Sequence, residues 1–160
     1  MIGEDGYRLN VGIVITNDRG QLLLAERTGQ KDAWQFPQGG IDEGESAEQA
    51  FYRELLEELG LQAKDIEIIA QTQDWLSYEI PKAFRRYRSK PLCIGQKQKW
   101  FLCRLTGEDS SIRLDYSDKP EFSQWDWFDY WSPLKYVIEF KRSVYERVLQ
   151  EFSSHVVTSE

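Results

Sequence analysis

Histidine is almost missing from this 160-residue chain: His155 is the only one, and it falls in the last ten positions. That scarcity argues against histidine-based catalysis and histidine-rich zinc sites. Cysteine is nearly as rare. Cys93 and Cys103 lack metal-ligand spacing and sit among apolar, strand-like residues, which predicts two reduced thiols and a cytoplasmic setting rather than a disulfide. No apolar run approaches the length of a bilayer span, and no signal-peptide pattern opens the sequence, so no membrane association is expected. One further absence is local. Residues 80–105 contain no acidic side chain, while Lys82, Arg85, Arg86, Arg88, Lys90, Lys97, Lys99 and Arg104 supply eight positive charges.

What is present fits one ordinary folded domain. The chain is 41% hydrophobic and 14% aromatic, which sets it apart from disordered sequences, and its length suits a single core. The formal net charge of −7 argues against loose binding to nucleic acid, and no DNA partner is expected. A negative chain with one concentrated basic stretch points instead to a local anionic ligand.

The organising stretch is residues 39–61, GGIDEGESAEQAFYRELLEELGL. Seven acidic residues lie between Asp42 and Glu58, opposed only by Arg53. Ser46 with Gln49 reads as a capping box, and Gly60 as a helix stop. On the helix between them, Glu54, Glu57 and Glu58 fall within an arc of about 100°, beside a core stripe of Phe51, Leu55 and Leu59. Carboxylates at i, i+3 and i+4 suit hard cations such as Mg²⁺ or Mn²⁺. A bare ExxEE is more often a solvated helix face, but here two glycines, four glutamates and an arginine stand at fixed spacing over 23 residues.

That pattern resembles the Nudix box at every fixed position. The resemblance implies metal-dependent hydrolysis of nucleoside diphosphates linked to a further group. By position it makes Glu54, Glu57 and Glu58 metal ligands, gives Arg53 an orienting role, and makes Gly39 a ligand through its carbonyl. One of the glutamates would be the general base, with Glu57 and Glu58 both open. Two or more ions are expected once substrate is bound.

Around the box, residues 7–16 alternate as a strand. A turn at 17–20 leads to a second strand at 21–26, forming a hairpin. Trp34 to Gly40 enters the box. Strands are expected at 66–72, 75–80, 98–105 and 125–130, with a basic loop at about 81–90 and a short helical turn from Ser132. The last helix is expected at about 140–153, and residues 153–160 as a frayed tail. The basic loop's arginines with Phe84 and Tyr87 suit charge contacts and base stacking. Lys97 and Lys99 alternate with Gln96 and Gln98, and that strand is expected to turn one polar set toward the site. This order implies an α/β fold, a mixed-sheet α/β/α sandwich forming one domain over 6–150, with a central catalytic helix at about 46–59. The Nudix resemblance implies the same fold.

Further segments narrow the resemblance. GYRLNVGIVI (6–15), WQFPQGGIDEGESAEQA (34–50), KPLCIGQKQKWFL (90–102), PEF (120–122) and FKRSVYERV (140–148) are similar to the bacterial RNA pyrophosphohydrolases and their diadenosine polyphosphate hydrolase relatives. The implied reaction removes pyrophosphate from the 5′-triphosphate end of RNA, or orthophosphate from the diphosphate. The 5′-monophosphate left behind promotes transcript decay. Hydrolysis of diadenosine tetra- or pentaphosphate is the alternative main activity, and a non-catalytic nucleotide- or RNA-binding regulator is the remote one. The resemblance implies phosphate contacts at Arg8 and Lys141, with Ile138 and Phe140 holding a base; Arg27 and Gln38 are expected as further substrate contacts, and Lys97 and Lys99 as substrate-binding cations that stabilise developing charge. Glu121 is implied as a further metal ligand. Without the resemblance, Arg8 and Arg27 would pass for strand-end salt-bridge partners, Glu121 for a loop acid, and Ile138 and Phe140 for core.

Overall fold

The computed structural model describes residues 2–88 and 91–156; Lys90 and positions 157–160 of the expected tail lie outside the described residues. Strand β1 (Tyr7–Thr16) is central, which is why Val11, Ile13, Val14 and Ile15 are buried on both of its faces. It runs parallel to β7 (Gly95–Leu105), from Tyr7 opposite Gly95 to Thr16 opposite Arg104. Strand β2 (Leu22–Arg27) meets β1 antiparallel at Thr16 and Leu22, then continues along β8 (Phe122–Phe128). The expected hairpin is therefore brief, and β2 is held mainly by a strand nearly one hundred residues away. Two short strands lead into the box, β3 (Trp34–Gln35) on β2 and β4 (Gln38–Gly40) on β1. Strands β5 (Ile66–Gln71) and β6 (Leu76–Glu79) both pair antiparallel with β7. The result is one mixed eight-stranded sheet.

Helix α1 (Ala47–Leu59) covers one face. Its start is the capping box read from the sequence: Ser46 Oγ accepts from the Gln49 amide at 3.1 Å, and Gln49 Oε1 accepts from the Ser46 amide at 2.9 Å. Gly60 ends it with φ 67°, a left-handed conformation that favours glycine. Phe51, Leu55 and Leu59 pack on Ile13, Phe101 and Cys103, and the Phe51 and Phe101 rings lie 4.8 Å apart. Truncating such a ring costs about 3–5 kcal/mol. The opposite face carries α3 (Arg142–Phe152), whose Val144, Tyr145, Val148 and Phe152 pack on Leu22, Leu24, Trp100 and Leu102. Both cysteines are free thiols.

Several expected boundaries move. β7 begins at Gly95 rather than residue 98, because its first residues pair with both Tyr7 and Glu79. β8 begins at Phe122, beside β2, and ends at Phe128. The short helix α2 (Pro133–Tyr136) follows as expected. The last helix starts at Arg142, after a separate 3-10 turn at Glu139–Lys141 that carries Lys141 into the interior. A further 3-10 turn, Ser153–His155, brings Val156 into the core against α3's neighbours, so the chain is not frayed as far as residue 156.

Candidate active site

The sheet and α1 leave a polar cavity of about 280 Å³ between β1, β4 and the helix. Its acidic wall is Glu54 and Glu58 of α1 with Glu121, which precedes β8. Its basic wall is Arg8, Arg27 and Lys141. These six residues span the chain from position 8 to 141, and each arrives by a local device. Arg27 and Glu121 come from adjoining strand ends, where β2 and β8 shift register and the Thr28 amide donates to the Glu121 carbonyl at 2.8 Å. Arg8 lies over Gly40: a Cβ at that glycine would stand 2.3 Å from the guanidinium. Lys141 is buried, with its Nζ 5.7 Å from the centre of the Tyr78 ring.

Arg53 is the hub beneath the acids. Its Nε and Nη2 donate to the Glu45 carboxylate at 2.8 and 2.9 Å, Nη1 to Glu54 at 2.8 Å and Glu57 at 3.3 Å, and Nη2 to the Gly40 carbonyl at 2.8 Å. One planar cation thus ties the loop before the helix, the helix and β4 together, which suits arginine and not lysine. The Arg53 hydrogen bonds hold Glu45 down at about 2. The pairing in turn raises Arg53's own pKa.

The remaining acids are under opposite stress. Burial pushes Glu54 up to about 7, with Glu57 and Glu121 adding to the rise and the Arg53 contact opposing it. Glu58 is also raised well above the usual carboxylate range, first by burial and then by Glu121 against it. Lys141 is lowered to about 8 by burial and by Arg27, with Glu121 pulling the other way. The cavity is therefore strained on both walls: buried Glu54 and half-buried Glu58 crowd Glu121, and buried Lys141 sits against half-buried Arg27.

A buried amide chain forms part of the floor. Gln98, fully buried, donates through Nε2 to Asn10 Oδ1 at 2.8 Å and to Gln38 Oε1 at 3.2 Å, and Gln38 Nε2 donates to the Tyr78 hydroxyl at 3.2 Å. The Gln96 and Gln98 Oε1 atoms are buried with no partner, so each keeps an open acceptor.

Of the residues singled out in the sequence, Arg8, Arg27, Gln38, Gly39, Glu54, Glu58, Glu121 and Lys141 line this cavity. Glu57 stands at its rim beside Arg53. Lys97 and Lys99 do not line it. Alternation along β7 sends Gln96 and Gln98 toward the cavity and turns the lysines to the other face. There Lys97 pairs with Asp5 above the Tyr7 ring, and Lys99 Nζ donates to the Gln73 carbonyl at 2.8 Å beside Trp75. The polar set sharing the site's face is the glutamines. Ile138 is nearly half exposed and Phe140 packs on Tyr78, both just outside the cavity. Asn10, Gln35, Gly40 and Gln96 also line it and were not among the expected site residues. The signal for Gln96 was its phase with Trp100; Asn10 and Gln35 carried none.

The donor set fits a hard cation. Glu54, Glu57 and Glu58 bring carboxylate oxygens within 4.8 Å of one another. Gly39 leaves the approach open: a Cβ there would stand 2.0 Å from the Glu54 carboxylate carbon. An all-oxygen cluster that repels itself and has no room for another side chain suits Mg²⁺ or Mn²⁺.

Comparison with known proteins identifies the family. The model of the NUDIX domain matches residues 6–148. The chain is 58% identical to an RNA pyrophosphohydrolase of Klebsiella pneumoniae (strain 342), over 96% of this chain and 87% of that protein. It is 56% identical to an RNA pyrophosphohydrolase of Escherichia coli O139:H28, over 99% of this chain and 89% of that one. Among solved structures, the E. coli dihydroneopterin triphosphate pyrophosphohydrolase superposes with a TM-score of 0.71 at 25% identity, covering 91% of this chain and 98% of its own.

Proposed function

The chain belongs to the NUDIX family, and on that premise we propose that it is an RNA pyrophosphohydrolase, converting 5′-triphosphate RNA ends to 5′-monophosphates and so promoting transcript decay. The observation that carries this reading is the two-walled cavity, with Glu54, Glu58 and Glu121 facing Arg8, Arg27 and Lys141, taken with 56–58% identity to relatives bearing that name. We assign Glu54, Glu57, Glu58 and Glu121, with the Gly39 carbonyl, to holding Mg²⁺ or Mn²⁺. When bound, these ions would supply charge neutralisation at the phosphates and a more acidic water. Arg8, Arg27 and Lys141 bind and orient the polyphosphate, Gln38 and Gln96 supplement them, and Ile138 and Phe140 hold a base. Arg53 neutralises Glu45, Glu54 and Glu57, whereas no cation pairs with Glu58 among the described residues. Glu58 is therefore the carboxylate we assign to take the proton from the attacking water. Among the described residues no helix is long and apolar enough to cross a membrane, and a cytoplasmic site of action fits the substrate.

The test is phosphate release, with and without Mg²⁺, from 5′-triphosphate RNA and from diadenosine tetraphosphate. The expected result is metal-dependent turnover with the higher kcat/KM on RNA; a preference for the dinucleotide would reassign the main activity. Glu58→Gln should fold and lose at least about 100-fold in kcat.

A further inference from the structure

Outside the cavity, an aromatic line leads away from it with rising exposure. Tyr78 is 7% exposed and bonded to Gln38; the ring of Phe140 lies 5.7 Å from Tyr78; the ring of Phe84 lies 5.7 Å from Phe140 and is 61% exposed. Phe84 is not on a slack loop. It closes a 3-10 turn, Lys82–Phe84, in which its amide donates to the Pro81 carbonyl at 2.8 Å. Arg85 then clamps the turn, donating to the Ile80 carbonyl at 2.8 Å and to Glu79 at 2.6 Å. The chain thus spends backbone and side-chain bonds to hold a phenyl ring out in water, where a free side chain gains nothing. Beside it Arg86, Tyr87 and Arg88 are exposed, and neither arginine forms an ion pair among the described residues. No acid interrupts residues 80–105.

We propose that Phe84, with Arg86 and Arg88, is a landing surface for single-stranded RNA downstream of the nucleotides held at the cavity. A base stacks on the exposed face of Phe84 and the following phosphates run along the arginines. The occupant is argued from the chemistry. Stacking rings interleaved with unpaired cations match a flexible polyanion that carries flat bases, and the line starts where a polyphosphate end would be seated. This inference rests on the reading of the cavity as an RNA-end site. It adds a selectivity that the cavity lacks: a free nucleotide whose one base is held at Phe140 has no further base for Phe84, and only a longer strand also carries phosphates along Arg86 and Arg88.

The experiment uses the full chain and two triphosphorylated single-stranded RNAs, two and eight nucleotides long, with the same first two nucleotides. For the wild type, KM should be lower on the longer RNA, and the advantage should shrink as salt is raised. Phe84→Ala should raise KM on the eight-mer about tenfold, the scale of one lost base–aromatic stack. It should leave kcat on the eight-mer, and both parameters on the dinucleotide, unchanged; Phe84→Trp should restore the eight-mer KM. Equal losses on both lengths would make Phe84 a mere buttress for Phe140 and overturn the proposal. So would an unchanged eight-mer KM in Phe84→Ala, or a wild type indifferent to length, while the RNA-end reading stood. Failure of the wild type to act on either RNA would sink that reading and the landing surface with it.

Discussion

Lys141 shows at the scale of one residue how function is bought with stability. Its ammonium is buried, and its pKa falls from the ordinary 10.5 to about 8 through burial and Arg27. The fold therefore favours the neutral amine. The penalty for charging it is fully present below about pH 8 and vanishes above about pH 10.5, where the unfolded chain is also neutral. The shift corresponds to about 3 kcal/mol. Lys141→Met, which keeps the length and drops the charge, should raise stability in urea unfolding at pH 7 by up to that amount. The gain should shrink as pH approaches 10, and turnover should collapse. A variant less stable than wild type at pH 7 would refute the assignment of strain to this lysine.

Helix α1 and the strand that leads into it separate holding from doing at the scale of an element. Ser46 serves only the helix start, so Ser46→Ala should cost about 1 kcal/mol of stability and leave kcat within about twofold once the protein is folded. Gly39 serves the carboxylates. An alanine methyl there would meet the Glu54 carboxylate at 2.0 Å, so the glutamate must move. Displacements near 1 Å at a reacting centre cost about 100-fold in rate. Gly39→Ala should therefore show a loss of that order by phosphate release, with a cooperative melt retained. Equal activity in the two variants would contradict this division of labour.

At the scale of the whole molecule, the cavity makes stability depend on pH and on divalent ions. Glu54 is raised to about 7 and Glu58 is also raised. Between the ordinary glutamate pKa and that range the folded protein binds more protons than the unfolded chain, so metal-free stability should fall as pH rises through it. Cations that bind only the folded state reverse the loss by mass action, by about 2.7 kcal/mol at a hundredfold excess over Kd. For a domain of this size that corresponds to a rise in Tm of about 5–10 °C. Thermal melts with and without Mn²⁺ should show a larger gain at pH 8 than at pH 5.5; a gain independent of pH would place the ions elsewhere.

The sequence by itself determined what is local and periodic. The capping box at Ser46, the stop at Gly60, the arc of Glu54, Glu57 and Glu58 and the reach of Arg53 follow from helical spacing, which any one-dimensional reading preserves. Family likeness extended this to Arg8, Glu121 and Lys141, whose spacing along the chain carries no geometry. Tertiary structure alone decided which faces meet. Alternation on β7 presents two polar sets, and only its parallel register with β1 puts Gln96 and Gln98 beside Arg8 and Asn10 while turning Lys97 and Lys99 toward Asp5 and Gln73. Register between strands nearly ninety residues apart is set by the packing of both sheet faces at once. A slip of one residue would have exchanged glutamines for lysines at the cavity.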